Sequence, residues 1–136
     1  MKGFLEKIGV INKIEFDIEE VGAPIPFKWG PCELATASYG HGITTTPLQL
    51  AKGYAIISNG GYEIRPTLIK TEKSNKKIKK RILKENVSKN INHILRKIVT
   101  SEEGTAGQAN VLGYEVGGKT GTAQKVKSGS YSKAKI

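Results

Sequence analysis

Gly117-Gly118-Lys119-Thr120-Gly121-Thr122-Ala123 is the stretch on which the reading of this chain turns. Its first six residues hold three glycines and two threonines, all poor helix formers. The segment therefore reads as extended, from residue 116 to residue 126. Alternate residues of a strand share a face, so Thr120 and Thr122 would present two hydroxyls on one side. Lys119 adds a cation beside them. Gly121, without a side chain, would let another backbone lie against the strand. A pairing strand is expected within residues 64–83, with Lys119 and Thr120 near an open groove.

Working outward, Thr46-Pro47-Leu48-Gln49 is a strong helix start, with Thr as N-cap, Pro at the first helical position and Gln three residues after the cap. Leu50, Ala51, Tyr54, Ala55 and Ile57 carry that helix to residue 58, where Asn59-Gly60-Gly61 ends it. Residues 64–73 and 78–83 read as two strands joined by a polar Ser74-Asn75-Lys76 turn. Val87, Ile91, Ile94, Leu95 and Ile98 fall at helical spacing and predict an amphipathic helix over 87–100. Phe4, Leu5 and Ile8 give a short helical stripe ending at Gly9, and residues 10–30 read as loop. Trp29 and Cys32 read as core or loop packing. No internal repeat and no domain boundary is visible.

At 136 residues, with 38% apolar and 25% charged side chains, the chain has the make-up of one modest globular domain. No apolar run is long enough to span a bilayer, and the first residues lack the pattern of a signal peptide. The net charge of +10 comes from nineteen Lys against three Arg, beside sixteen Ile and seven Asn. That is the drift of an AT-rich genome more than the Arg and aromatic usage of a nucleic-acid binder. The densest basic run, residues 70–84, holds no aromatic residue and reads as a solvated hairpin, so no nucleic-acid partner is expected. Cys32 stands alone, which excludes an internal disulfide and a multi-Cys zinc site. With two His and Asp17 as the one Asp, neither a metal centre nor a cofactor is expected.

A Lys-Thr-Gly triplet has a defined use in serine acyl transfer, together with a Ser-x-x-Lys nucleophile and a Ser-x-Asn element. Ser74-Asn75-Lys76-Lys77 and Ser130-Tyr131-Ser132-Lys133 match the first pattern. Both lie in polar, turn-like sequence, where the Lys would not be desolvated enough to act as a base. The second also follows the triplet instead of preceding it. No nucleophile is assigned. Ser88-Lys89-Asn90 matches Ser-x-Asn but falls at the start of the 87–100 helix, where Ser88 reads as a cap. Gly113-Tyr114-Glu115-Val116-Gly117-Gly118-Lys119-Thr120 formally satisfies the phosphate-loop pattern. That pattern needs a buried strand before it and a long helix after it. Gly121 follows at once, and residues 123–133 show no helical periodicity. His41, between two glycines, reads as turn packing.

In combination, Ser38-Tyr39-Gly40-His41-Gly42-Ile43, Thr46-Pro47-Leu48-Gln49-Leu50-Ala51, Asn59-Gly60-Gly61 and the Lys-Thr-Gly stretch occur in the order and spacing of class B penicillin-binding proteins. The chain resembles these monofunctional peptidoglycan D,D-transpeptidases over nearly its whole length. Gly40-His41-Gly42 and Gly113-Tyr114-Glu115-Val116-Gly117-Gly118 look most like the septal cell-division enzyme of α-proteobacteria. The resemblance implies an α+β, serine β-lactamase-like domain, with a central antiparallel sheet packed with helices and the Lys-Thr-Gly strand at its edge.

It also implies acyl transfer from a D-Ala-D-Ala stem peptide through an acyl-serine, a serine that β-lactams acylate. By motif match, Lys119 would direct positive charge at the site, and Thr120 and Thr122 would address the substrate or β-lactam carboxylate. The Thr122 N–H would form half of the oxyanion hole, and Gly121 would permit close approach. The parent enzyme would be anchored in the inner membrane with a periplasmic catalytic domain, whereas this chain made alone would stay cytoplasmic.

The family's nucleophile, Ser-x-Asn element and anchor lie upstream of these motifs, and further strands and a C-terminal helix lie downstream. Residues 1–136 are therefore expected to be an incomplete transpeptidase domain, truncated at both ends and inactive alone. Two readings stand beside this one: a nucleotide-binding domain using residues 113–120, and a non-catalytic half that completes a separate N-terminal chain.

Overall fold

The computed structural model describes residues 1–18, 28–70 and 80–121, and the backbone of 126–127 and 130–131. The chain divides into two compact units, Met1–Asn92 and His93–Ile136.

The first unit is organised by the expected capped helix, which runs over Pro47–Ser58 and is preceded by two short helices, α1 (Lys2–Lys7) and α2 (Pro31–Ala37), making it α3. Both halves of its capping box are present. The Gln49 N–H donates to Thr46 Oγ1 at 3.2 Å, and the Thr46 N–H donates to Gln49 Oε1 at 2.6 Å. Gln49 is fully buried and does more than cap. Its Nε2 donates to Asn12 O at 2.6 Å, which ties the loop after α1 to the start of α3. Thr46→Ala is expected to lower stability by about 1 kcal/mol, read as a shift of the urea unfolding midpoint. An unmoved midpoint would place the helix start elsewhere.

At the other end of α3, Asn59 Oδ1 accepts from the Gly61 and Tyr62 N–H groups at 3.1 and 2.8 Å. Gly61 lies at φ +90°, the left-handed region that favours glycine. A Cβ placed on it would meet Leu83 O at 2.3 Å. Its own carbonyl accepts from the Ile82 and Leu83 N–H groups at 2.7 and 3.1 Å. This close approach delivers Leu83 to the core, where it joins Ile8 and Ile56, with Leu5, Val10, Ile57 and Ile82 packed around them.

The amphipathic helix α4 spans Glu85–Thr100, two residues longer at its start than the apolar spacing predicts. Ser88 is not its cap. It is buried, and its hydroxyl donates to Ile57 O, which also accepts from Asn92 Nδ2 at 3.1 Å. Ile57 is in the last turn of α3, whose carbonyls have no partner within the helix. α4 supplies the two missing donors.

The strands expected over 64–73 and 78–83 are not formed in their described parts. Residues 64–70 carry no strand, and Arg81 of the second segment forms an antiparallel bridge with Tyr62, which precedes the first. Residues 71–79 lie outside the described residues. Two local causes account for the absence. Pro66 has no N–H to give a ladder, and Asp17 draws the next residues into a turn. Asp17 Oδ2 accepts from Thr67 Oγ1 at 2.5 Å and from the Leu68 N–H at 2.7 Å, so a side chain takes the place of a neighbouring strand.

The Thr67 hydroxyl first, and the Leu68 N–H next, hold the Asp17 carboxyl below its ordinary value of 3.8. A depressed carboxyl stabilises the folded state fully above its unfolded pKa and loses that contribution as pH falls through the folded value. Hydrogen-exchange protection at Leu68 is therefore expected to fall below about pH 4, and Asp17→Asn to flatten that dependence.

α2 is absent from the sequence reading. Pro31 occupies its first position, but Gly30 before it offers no capping side chain, so the stretch looks like loop. Cys32 is exposed on this helix and is not a core residue.

The second unit contains the end of α4, a 3₁₀ turn at Gly107–Ala109, and an antiparallel pair, β1 (Val126–Lys127) with β2 (Ser130–Tyr131). The register places Val126 opposite Tyr131 and Lys127 opposite Ser130. Residues 116–121 are neither helix nor strand. Their backbone is held by α4 instead of by a ladder.

Candidate functional site

The last turns of α4 form the floor on which residues 116–118 lie. The Gly118 N–H donates to Leu95 O at 3.1 Å, and Arg96 Nη1 donates to Val116 O at 2.8 Å and to Asn110 Oδ1 at 3.2 Å. Gly117 rests so close to the helix that a Cβ there would be 3.3 Å from Arg96 N and Leu95 Cβ. Beyond the helix, Ser101 N–H closes on Lys97 O at 2.8 Å, and Ala106 N–H closes on Ile98 O at 3.3 Å. Gly104 makes that turn possible, since any Cβ would lie 2.2 Å from Ile98 O. The turn brings Thr105 to Thr120.

There the side chains expected from the sequence meet. Lys119 Nζ donates to Thr120 O and to Thr120 Oγ1, each at 2.9 Å. Thr105 Oγ1 lies 3.1 Å from Thr120 Oγ1. Lys119, Thr120 and Gly121 are all exposed, and no atom of the described residues lies within 4 Å of where a Gly121 Cβ would project. Thr105, Ala106, Gln108 and Ala109, with Gly118, Lys119 and Thr120, line a groove of about 340 Å³. Thr122 lies outside the described residues. The groove thus offers one ammonium, two hydroxyls and a bare backbone, a donor set suited to an anionic, peptide-like ligand.

The phosphate-loop reading does not survive this geometry. It requires a helix from Lys119 onward, whereas residues 119–121 are not helical and 126–127 form β1. Of the two Ser-x-x-Lys strings, Ser130 lies in β2 and Ser74 outside the described residues. Among the described residues no three His, Cys, Asp or Glu side chains gather to hold a metal.

Thr105 of the groove and Arg96, which holds Val116 O, belong to no motif in the sequence. The rarity of arginine, three against nineteen lysines, was the available signal. Arg81 and Arg96 each donate to a backbone carbonyl, Gly60 O and Val116 O. A planar fork of donors does this better than a lysine.

Residues 1–136, the whole chain, match the penicillin binding protein transpeptidase domain. The chain belongs to the penicillin-binding protein transpeptidase family. The chain is 38% identical over 141 residues to stage V sporulation protein D of Bacillus subtilis, a match covering 94% of the chain and 22% of that relative. It is 35% identical over 125 residues to the probable peptidoglycan D,D-transpeptidase FtsI of Caulobacter vibrioides, covering 90% of the chain and 21% of the relative.

Its structure superposes on the apo TP domain of Burkholderia pseudomallei penicillin-binding protein 3 with a TM-score of 0.84 and 29% identity, covering 96% of the chain and 40% of that one. The class B resemblance read from the motifs is therefore correct at the level of the family. The chain spans about a fifth of the length of these two curated relatives.

Proposed function

We propose that this chain carries the Lys-Thr-Gly side of the acyl-transfer site of a penicillin-binding peptidoglycan D,D-transpeptidase. The observation that carries the reading is the Lys119 ammonium joined to the Thr120 hydroxyl on an open groove, in a chain matched end to end by the family. A serine from polypeptide outside residues 1–136 attacks the carbonyl between the two D-alanines of a stem peptide. The terminal D-alanine leaves, and the acyl-serine passes to an amine of a neighbouring stem. A β-lactam acylates the same serine. Lys119 supplies fixed positive charge, Thr120 and Thr122 bind the terminal carboxylate, and the Thr122 N–H gives half of the oxyanion hole. Gly121 leaves the backbone accessible. The β1–β2 pairing supports an antiparallel sheet beside this site, and the reaction belongs on the periplasmic side of the membrane, where peptidoglycan is.

Labelling with a fluorescent penicillin tests the assignment. The chain alone is expected to give no covalent band. A chimera in which residues 1–136 replace the matching segment of a complete relative is expected to label. A band on the chain alone that vanishes in Ser74→Ala or Ser130→Ala would overturn the external nucleophile. A folded chimera that does not label would overturn the transpeptidase reading.

A further inference from the structure

We infer that the Thr105 hydroxyl donates to Thr120 and thereby fixes Thr120 as a hydrogen-bond donor toward the groove, which makes Thr105 a positioning residue of the carboxylate site. The inference deepens the proposed function and rests on it for the identity of the ligand.

A threonine hydroxyl has one proton to donate and two lone pairs to accept with. At Thr120 one lone pair is taken by Lys119 Nζ, 2.9 Å away, because an ammonium can only donate. Among the described residues the remaining neighbour is Thr105 Oγ1 at 3.1 Å, and two proton arrangements fit that distance. If Thr120 donates to Thr105, its single proton is used inside the pair. It then turns only lone pairs toward the groove. If Thr105 donates to Thr120, both acceptor positions are filled, and the Thr120 proton is left for the groove.

A carboxylate is an acceptor only, so the second arrangement is the one that binds it. The order is then Thr105 O–H to Thr120 O–H to carboxylate. The ammonium on the middle oxygen polarises the outgoing O–H further. Thr105 is held for this by the turn at Gly104 and the bond from Ala106 N–H to Ile98 O.

The two arrangements predict opposite signs for one substitution. Thr105→Val keeps the shape and removes the hydroxyl. N-acetyl-D-alanyl-D-alanine is titrated into the isotope-labelled 136-residue chain and followed at the Thr120 amide, with its methyl ester as a neutral control. Thr105→Val is expected to bind the free acid about fivefold more weakly, and Thr105→Ser to restore wild-type affinity. Unchanged or tighter binding in Thr105→Val would overturn the inference, because it would mean that Thr105 had been taking the Thr120 proton.

A second readout needs no ligand. Three-bond couplings across the Thr120 χ1 angle are expected to report one rotamer in wild type and Thr105→Ser, and averaging in Thr105→Val. Couplings that stay unaveraged in Thr105→Val would also overturn it. Averaging in Thr105→Val together with no dipeptide binding by the wild-type chain would uphold the positioning role and remove the proposed ligand.

Discussion

Lys119→Ala, in a chimera that labels with penicillin, is expected to slow acylation on the order of 10²–10³-fold while leaving the unfolding midpoint in place. The two halves of this expectation have separate causes. Lys119 is exposed, and among the described residues its ammonium bonds to Thr120, the next residue, so no long-range contact among them is lost with it. Surface replacements of that kind move stability by about half a kcal/mol at most. The ligand loses more: a fixed positive charge for its carboxylate, and the partner that occupies one Thr120 lone pair. Wild-type acylation in the variant would remove Lys119 from the site. A lowered midpoint matched by a proportionate loss of labelling would make it a structural residue instead.

Gly61→Ala is expected to destabilise the chain by about 4 kcal/mol or more, a large part of the roughly 5–15 kcal/mol typical of whole domains. The added methyl would sit in a left-handed backbone conformation, 2.3 Å from Leu83 O and 2.9 Å from Leu83 C and Cβ. Backbone atoms cannot swing aside as a side-chain end can, so residues 82–83 must move. The bonds from the Ile82 and Leu83 N–H groups to Gly61 O loosen with them, and Leu83 leaves Ile8 and Ile56.

Gly60→Ala separates the two contributions. Gly60 has nearly the same φ, +89°, but among the described residues a Cβ there would meet Tyr62 ring carbons alone, at 3.8 and 3.9 Å. It is expected to lose about 1–2 kcal/mol, the conformational cost alone. Chemical unfolding of the pair decides the matter: equal midpoints would deny the close approach at Gly61.

What the sequence made legible was local. The cap of α3 joins residues three apart, so Thr46 and Gln49 announced it. The glycines and threonines around Lys119 argued against a helix there, and residues 119–121 are not helical. What it concealed depended on distant partners. Ser88 looked like a cap because its acceptor, Ile57 O, lies 31 residues away. The strands expected after residue 64 lost to Asp17, 50 residues upstream, which bonds Thr67 and turns the chain. Thr105 precedes Thr120 by 15 residues, and only the fold of the loop onto the end of α4 reveals that they touch. Family motifs reached past this limit for the family itself, which the match over residues 1–136 shows, but gave no hint of the contacts of Thr105 or Arg96.

The way Lys119 rests on its own neighbour bears on how quickly a ligand could be captured. A free lysine side chain gives up as much as about 2 kcal/mol of rotational freedom when it is pinned. Here that ordering belongs to the unliganded chain, since two of the three ammonium hydrogens are already directed at Thr120 O and Oγ1. No described residue takes the third, which leaves it for an incoming anion. Capture then adds a contact without breaking one, so the encounter needs little rearrangement, and its rate should follow the screening of a single exposed charge by salt.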